Sequence, residues 1–257
     1  MHKRITTGPL APFVDFLWLS EGYAPAHGAE RILPTGQMGL VLDVSGTDNT
    51  PGLLSGARAS SFILDTSKPL SLLGVAFKAG GGYPFVDLPA GALQDLAVPL
   101  DALWGNSAEQ LRTELLEAES GERRFRILET FLANRLALST PRSPLVQFAL
   151  RAFQESSGAG AVGEVVDRIG ISARRFIAEF RHQVGLPPKA FCRIARFRKV
   201  IHRVAAATAV DWSDVALSCG YYDQAHFIHE FREFAGVSPS NYLRDRTSSP
   251  NHLLMRD

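Results

Sequence analysis

Two stretches of this 257-residue chain alternate phenylalanines with side chains suited to hydrogen-bonded recognition. They are "SARRFIAEFRHQVGLPPKAF" (172–191) and "DQAHFIHEFREFAGVSPSNY" (223–242). Aligned, they share Phe176/Phe227, Ile177/Ile228, Glu179/Glu230, Phe180/Phe231, Arg181/Arg232, Gly185/Gly236 and Pro188/Pro239, an internal repeat. Phe176 with Phe180, and Phe227 with Phe231, are i, i+4 pairs that face a core. Arg174, Arg175 and Ala178 then face outward in the first copy, as do Gln224, His226 and His229 in the second. Ser172, Ile177, Ala225 and Ile228 lie beside them. Arginine pairs bidentately with guanine and glutamine with adenine, so the chemistry on offer is the reading of base edges. Arg181 and Arg232 lie further along and suit phosphates.

Each copy follows a short apolar segment and a glycine: "VGEVVDRIGI" with Gly170, and "WSDVALSCGYY" with Gly220. That is a helix, a tight turn and a second helix. Ser172 and Asp223 are N-cap residues for the second helices. Gly185 and Gly236 end them, and Pro188 and Pro239 open the next. Residues 188–207 contain no internal breaker and are expected to form one helix. Twenty residues span ~30 Å, close to the ~34 Å between successive major grooves. One chain is therefore expected to read two grooves. Before the repeat, Pro144 suits a helix start, with Leu145, Phe148, Ala149 and Ala152 on one face.

The first part of the chain has a different texture. "MGLVLDVS" (38–45) and "LLGVAFK" (72–78) are short Val/Leu runs, interrupted by "PTG" (34–36) and "AGGGYP" (79–84). Short strands between frequent turns predict a sandwich or barrel over 1–105. Residues 106–140 are expected to be helical. Ser107 and Gln110 suggest a capping box, and Phe125, Leu128, Phe131, Leu132 and Leu136 follow at helical spacing. "LSTPRSP" (138–144) reads as a linker. The expected organisation is α+β: a regulatory domain at 1–140, an all-α domain at 145–246 and a tail at 247–257. Charge divides similarly. Residues 1–143 carry 12 Lys/Arg against 15 Asp/Glu, and residues 144–257 carry 15 against 11. No acid lies between Glu179 and Asp211, whereas Arg181, Lys189, Arg193, Arg196, Arg198, Lys199 and Arg203 do. A basic half implies a nucleic-acid partner.

Other chemistries find little support. Cys192 and Cys219 form no metal or disulfide pattern. His27 and Glu30 lack an H-x-H companion and read as structural. "KAGGGYP" lacks the G-K-[ST] of a phosphate loop. No nucleophile–base set is arguable, so the chain is expected to be no enzyme and to use no cofactor or metal. With no secretory or membrane-spanning segment, it reads as cytoplasmic. Trp18, Tyr23, Arg31 and Phe77 are the candidates to line a mostly apolar effector pocket.

"DWSDVALSCGYYDQAHFIHEFREFAGVSPSNYLR" closely resembles the second helix-turn-helix of AraC/XylS-type transcriptional regulators. The shared features are "A-x-x-C-G-Y/F", "D-Q-x-H/Y-F-x-x-x-F-R" and "G-x-S/T-P-x-x-Y/F". The likeness covers about 145–246. It implies two recognition helices in adjacent major grooves of double-stranded DNA. Ile177 and Ala178 stand where relatives often present polar side chains, which suits thymine methyls or little sequence reading. "ERILPTGQMGLVLDV", "LLGVAFKAGGGYPF" and "PLDALWG" resemble the effector half of a subgroup, implying a cupin-like barrel that binds a small organic effector or dimerises. RNA polymerase is the further partner in view, with the chain a monomer or homodimer. The alternatives are an N-terminal domain that only dimerises or contacts a protein, or an enzymatic or ligand-carrying barrel fused to a DNA module.

Overall fold

A computed structural model describes residues 1–25, 27–47, 51–156 and 162–255. Eight strands come first: β1 (His2–Arg4), β2 (Val14–Tyr23), β3 (Ala29–Ile32), β4 (Gly39–Asp43), β5 (Leu53–Ser55), β6 (Phe62–Asp65), β7 (Leu70–Phe77) and β8 (Ala97–Pro99). Alternation sets their inner face: Leu17 and Leu19 of β2, Leu40 and Leu42 of β4, and Leu73, Val75 and Phe77 of β7 are all buried. The main sheet has the order β1-β2-β7-β4-β5-β8, with antiparallel neighbours. Gly74 of β7 leaves the space that the Trp18 indole fills from β2. A second sheet has the order β6-β3-β9, where β9 is His252–Leu254. The two sheets form an open sandwich, the first of the two expected architectures, rather than a closed barrel.

The third strand of the second sheet, β9, comes from the segment read as a tail. Leu253 pairs with Arg31 and is buried, so an apolar anchor and a vacant edge explain the docking. Residues 256–257 of that segment lie outside the described residues.

Helices α1 (Leu100–Trp104), α2 (Asn106–Leu116) and α3 (Gly121–Ala137) follow. The expected capping box is absent. Helix α2 begins after Gly105, whose φ of 55° turns the chain, and the Ser107 hydroxyl donates to the Trp104 carbonyl. In α4 (Pro144–Glu155) the buried face is Val146, Ala149, Leu150 and Phe153, offset from the expected Leu145 and Phe148. Phe153 sets that rotation by packing edge-on against Phe180.

Helices α5 (Val162–Ile169), α6 (Ala173–Val184), α7 (Pro188–Val204), α8 (Trp212–Ser218), α9 (Gln224–Ala235) and α10 (Pro239–Asp245) complete the C-terminal half. Helix α7 stops three residues before the expected 207, giving ~25 Å rather than ~30 Å. The Arg246 guanidinium donates to the carbonyls of Val204 and Ala207 and closes that end. Buried side chains from Leu10 to Leu253 form one continuous core through both halves. Among the described residues, no helix is long and apolar enough to cross a membrane.

Candidate nucleic-acid interface

Both helix-turn-helix units form as their local chemistry requires. Gly170 (φ 74°) and Gly220 (φ 84°) turn the chain between the paired helices. The Ser172 hydroxyl accepts from the Arg175 backbone N–H, and the Asp223 carboxylate accepts from that of His226. Gly185 (φ 94°) and Gly236 (φ 71°) end α6 and α9 in the left-handed conformation.

The phenylalanines hold each second helix by its inner face. Phe176 and Phe180 pack together, and Phe180 meets Phe153 of α4 and Phe191 of α7. In the second unit Phe227 stacks on Trp212 and meets Phe231, whose ring lies 5.2 Å from Phe197 of α7. Helix α7 thus inserts Phe191 into one core and Phe197 into the other, tying both units to one rod.

The outward faces carry the expected side chains. Ser172, Arg174, Arg175, Ala178 and Arg181 are exposed on α6 and its cap, with Ile177 at 43% exposure. Gln224, Ala225, His226, His229 and Arg232 are exposed on α9, and Ile228 is half-buried. Two of the α9 side chains meet protein partners. Gln224 Oε1 accepts from the Ser213 hydroxyl at 3.4 Å. The His226 ring lies edge-on to Tyr221, with its Nε2 3.8 Å from Glu230.

Glu230 is the residue that sequence reasoning left without a role. It is only 2% exposed and accepts from Arg193 Nε at 2.7 Å, with Arg196 at 3.5 Å. Arg193 also pairs with Glu233, and Arg203 pairs with Asp214. Arg193, Arg196 and Arg203 of the acid-free run are therefore engaged with acids of the second unit, fixing α9 and α8 against α7. The available signal was the conservation of a glutamate between two phenylalanines in both repeat copies. Arg198 turns inward, and burial pushes its guanidinium pKa down.

The N-terminal half grips the far ends of these helices. A short 3₁₀ turn at Ala90–Ala92 packs against α6, with Gly91 beside the Arg181 stem. The Tyr83 hydroxyl lies 3.1 Å from His182 Nε2, and Gln183 Oε1 accepts from the Ser143 N–H. The four effector candidates are not brought together. Phe77 is a core residue stacked on Phe85, and Trp18 lies across Gly74. Arg31 packs over Gly236 at the end of α9. The Tyr23 hydroxyl donates to Glu30 at 2.5 Å.

Glu30 is fully buried. Its Oε1 also lies 2.7 Å from His27 Nε2, and its Oε2 lies 2.6 Å from His252 Nδ1 on β9. Burial alone would raise its pKa, but hydrogen bonds from Tyr23, His252 and His27 hold it below the ordinary carboxylate range. Burial and the Glu30 contact push the Tyr23 phenol up to about 12.

Residues 165–245 match the family described as a helix-turn-helix domain, and residues 5–99 match a domain of unknown function (DUF6597). Among solved structures, the chain is 23% identical to the C-terminal domain of AraT, a response regulator from Geobacillus stearothermophilus. That match covers 43% of this chain and 92% of that one, with a TM-score of 0.38. ToxT from Vibrio cholerae is 10% identical, over 89% of this chain and 93% of ToxT, with a TM-score of 0.44. ToxT with a bound unsaturated fatty acid is 12% identical, over 88% and 90%, with a TM-score of 0.42. No curated protein matches the chain. The C-terminal region is a helix-turn-helix domain, the fold of DNA-reading proteins. That domain is of the AraC type.

Proposed function

We propose that the protein regulates transcription by binding a specific duplex site through α6 and α9 in two adjacent major grooves, under control of a small organic molecule. The observation carrying this reading is the rod-like α7, which anchors both recognition helices through Phe191 and Phe197 and leaves their N-terminal faces exposed. Gln224, His226 and His229 supply base contacts in one groove, and Arg174 and Arg175 in the other. Arg181 and Arg232 bind phosphates. Control is supported by the packing of the N-terminal half on the C-terminal ends of α6 and α9, where a ligand-dependent shift would move both readers.

The test is selection of DNA from a random pool by the full chain. Two short conserved blocks with centres about 10 base pairs apart are expected. A single block, or no enrichment at low salt, would overturn the two-groove reading.

A further inference from the structure

A cavity of about 300 Å³ lies where the N-terminal half meets α7. Its floor is a helical stripe of α7: Phe191, Ile194, Ala195, Arg198 and His202, with Lys199 at the rim. Phe153 and Gln154 of α4 close one side, and Thr35, Gln37 and Ala79 of the N-terminal half close the other. That volume is at the small end for organic-ligand sites, and its aromatic and aliphatic walls are typical of them.

The charges in this cavity are one-sided. Arg198 and Lys199 line it, burial and the Arg198 charge push the His202 imidazole toward its neutral form, and no carboxylate lines it among the described residues. Arg198 Nε is buried and has no hydrogen-bond partner among them. Its Nη1 makes one long bond, 3.4 Å, to the Thr35 carbonyl. Asp15 acts on Arg198 only through its charge. Lys199 donates to the Ser218 carbonyl and keeps further donors. A desolvated guanidinium without a hydrogen-bonded carboxylate is costly, and its planar fork matches two carboxylate oxygens. The apolar walls favour an anion with a carbon body over a bare phosphate.

We infer that this cavity binds a small organic carboxylate, a single ring or short chain, with its acid group on Arg198 and its body between Phe153 and Phe191. The ligand would touch both halves of the protein and the rod joining the two readers. The assignment deepens the small-molecule control in the proposed function and rests on that reading for its regulatory consequence alone.

The experiment is fluorine NMR of the full chain, without DNA, using 4-fluorobenzoate and the uncharged 4-fluorobenzamide as probes. The acid should bind at least about ten-fold more tightly than the amide. Arg198→Gln should abolish that preference, and Ala195→Phe should block the acid by filling the cavity without touching its charge. Equal binding of acid and amide would overturn the proposal. So would undiminished acid binding in both folded variants, or displacement of the acid by an equal concentration of inorganic phosphate. If Arg198→Gln fails to fold, the acid–amide pair and Ala195→Phe still decide. Because no DNA is present, failure here leaves the DNA reading standing, and loss of the DNA reading leaves this result standing.

Discussion

Gln224 and Arg232 sit on the same helix and are expected to fail in different ways. Gln224→Ala should relax preference at one or two base pairs and cost ~1–3 kcal/mol on the selected site, with little change elsewhere. Arg232→Ala should weaken all sequences alike and lower the salt slope by about one. Competition binding on selected and scrambled duplexes separates the two. Unchanged selected sites in folded Gln224→Ala would remove this residue from base reading. Phe231 belongs to the third kind of position: fully buried between Phe227, Phe197 and Tyr242, it should cost ~3–5 kcal/mol of stability when replaced by alanine. Glu230→Gln strips the carboxylate from Arg193 and Arg196. The arginines keep some solvent, so a loss near the lower end of ~3–5 kcal/mol is expected by denaturant titration.

At the scale of elements, β9 is a clasp between the end of the chain and β3. Its titratable centre is Glu30, whose lowered pKa stabilises the folded state above the ordinary carboxylate range. That stability should disappear as pH falls through the lower folded value. Melting temperatures of wild type and Glu30→Gln should therefore differ clearly at pH 7 and converge in strong acid. A constant gap would show that the carboxylate charge is irrelevant to the clasp. The sequence marked His27 and Glu30 as a structural pair, but their closure by β9 was not legible in it. "HLL" is too short to signal a strand, and its partner is 222 residues away. The caps, glycine stops and paired phenylalanines of α6 and α9 were legible because they are local, written within a dozen residues. The pairing of Arg193 with Glu230 and the inward turn of Arg198 depend on how helices cross, which periodicity does not encode.

For the whole molecule, the basic run from Arg181 to Arg203 overstates the charge offered to DNA. Arg193 and Arg203 are paired with acids, and Arg198 is turned inward. Arg193→Ala should leave the slope of log K against log salt unchanged, whereas Arg181→Ala should lower it by about one. An equal loss from both would mean that the ion pairs open on the duplex. The β3–β9 pairing also bears on how the chain is made. Glu30 must wait for His252 while 222 residues are synthesised, roughly 10–40 s at ~5–20 residues per second. For that interval the ribosome-bound chain displays an unpaired strand edge on its N-terminal half. Chaperone demand should therefore persist for that interval, and fall only when β9 has left the exit tunnel.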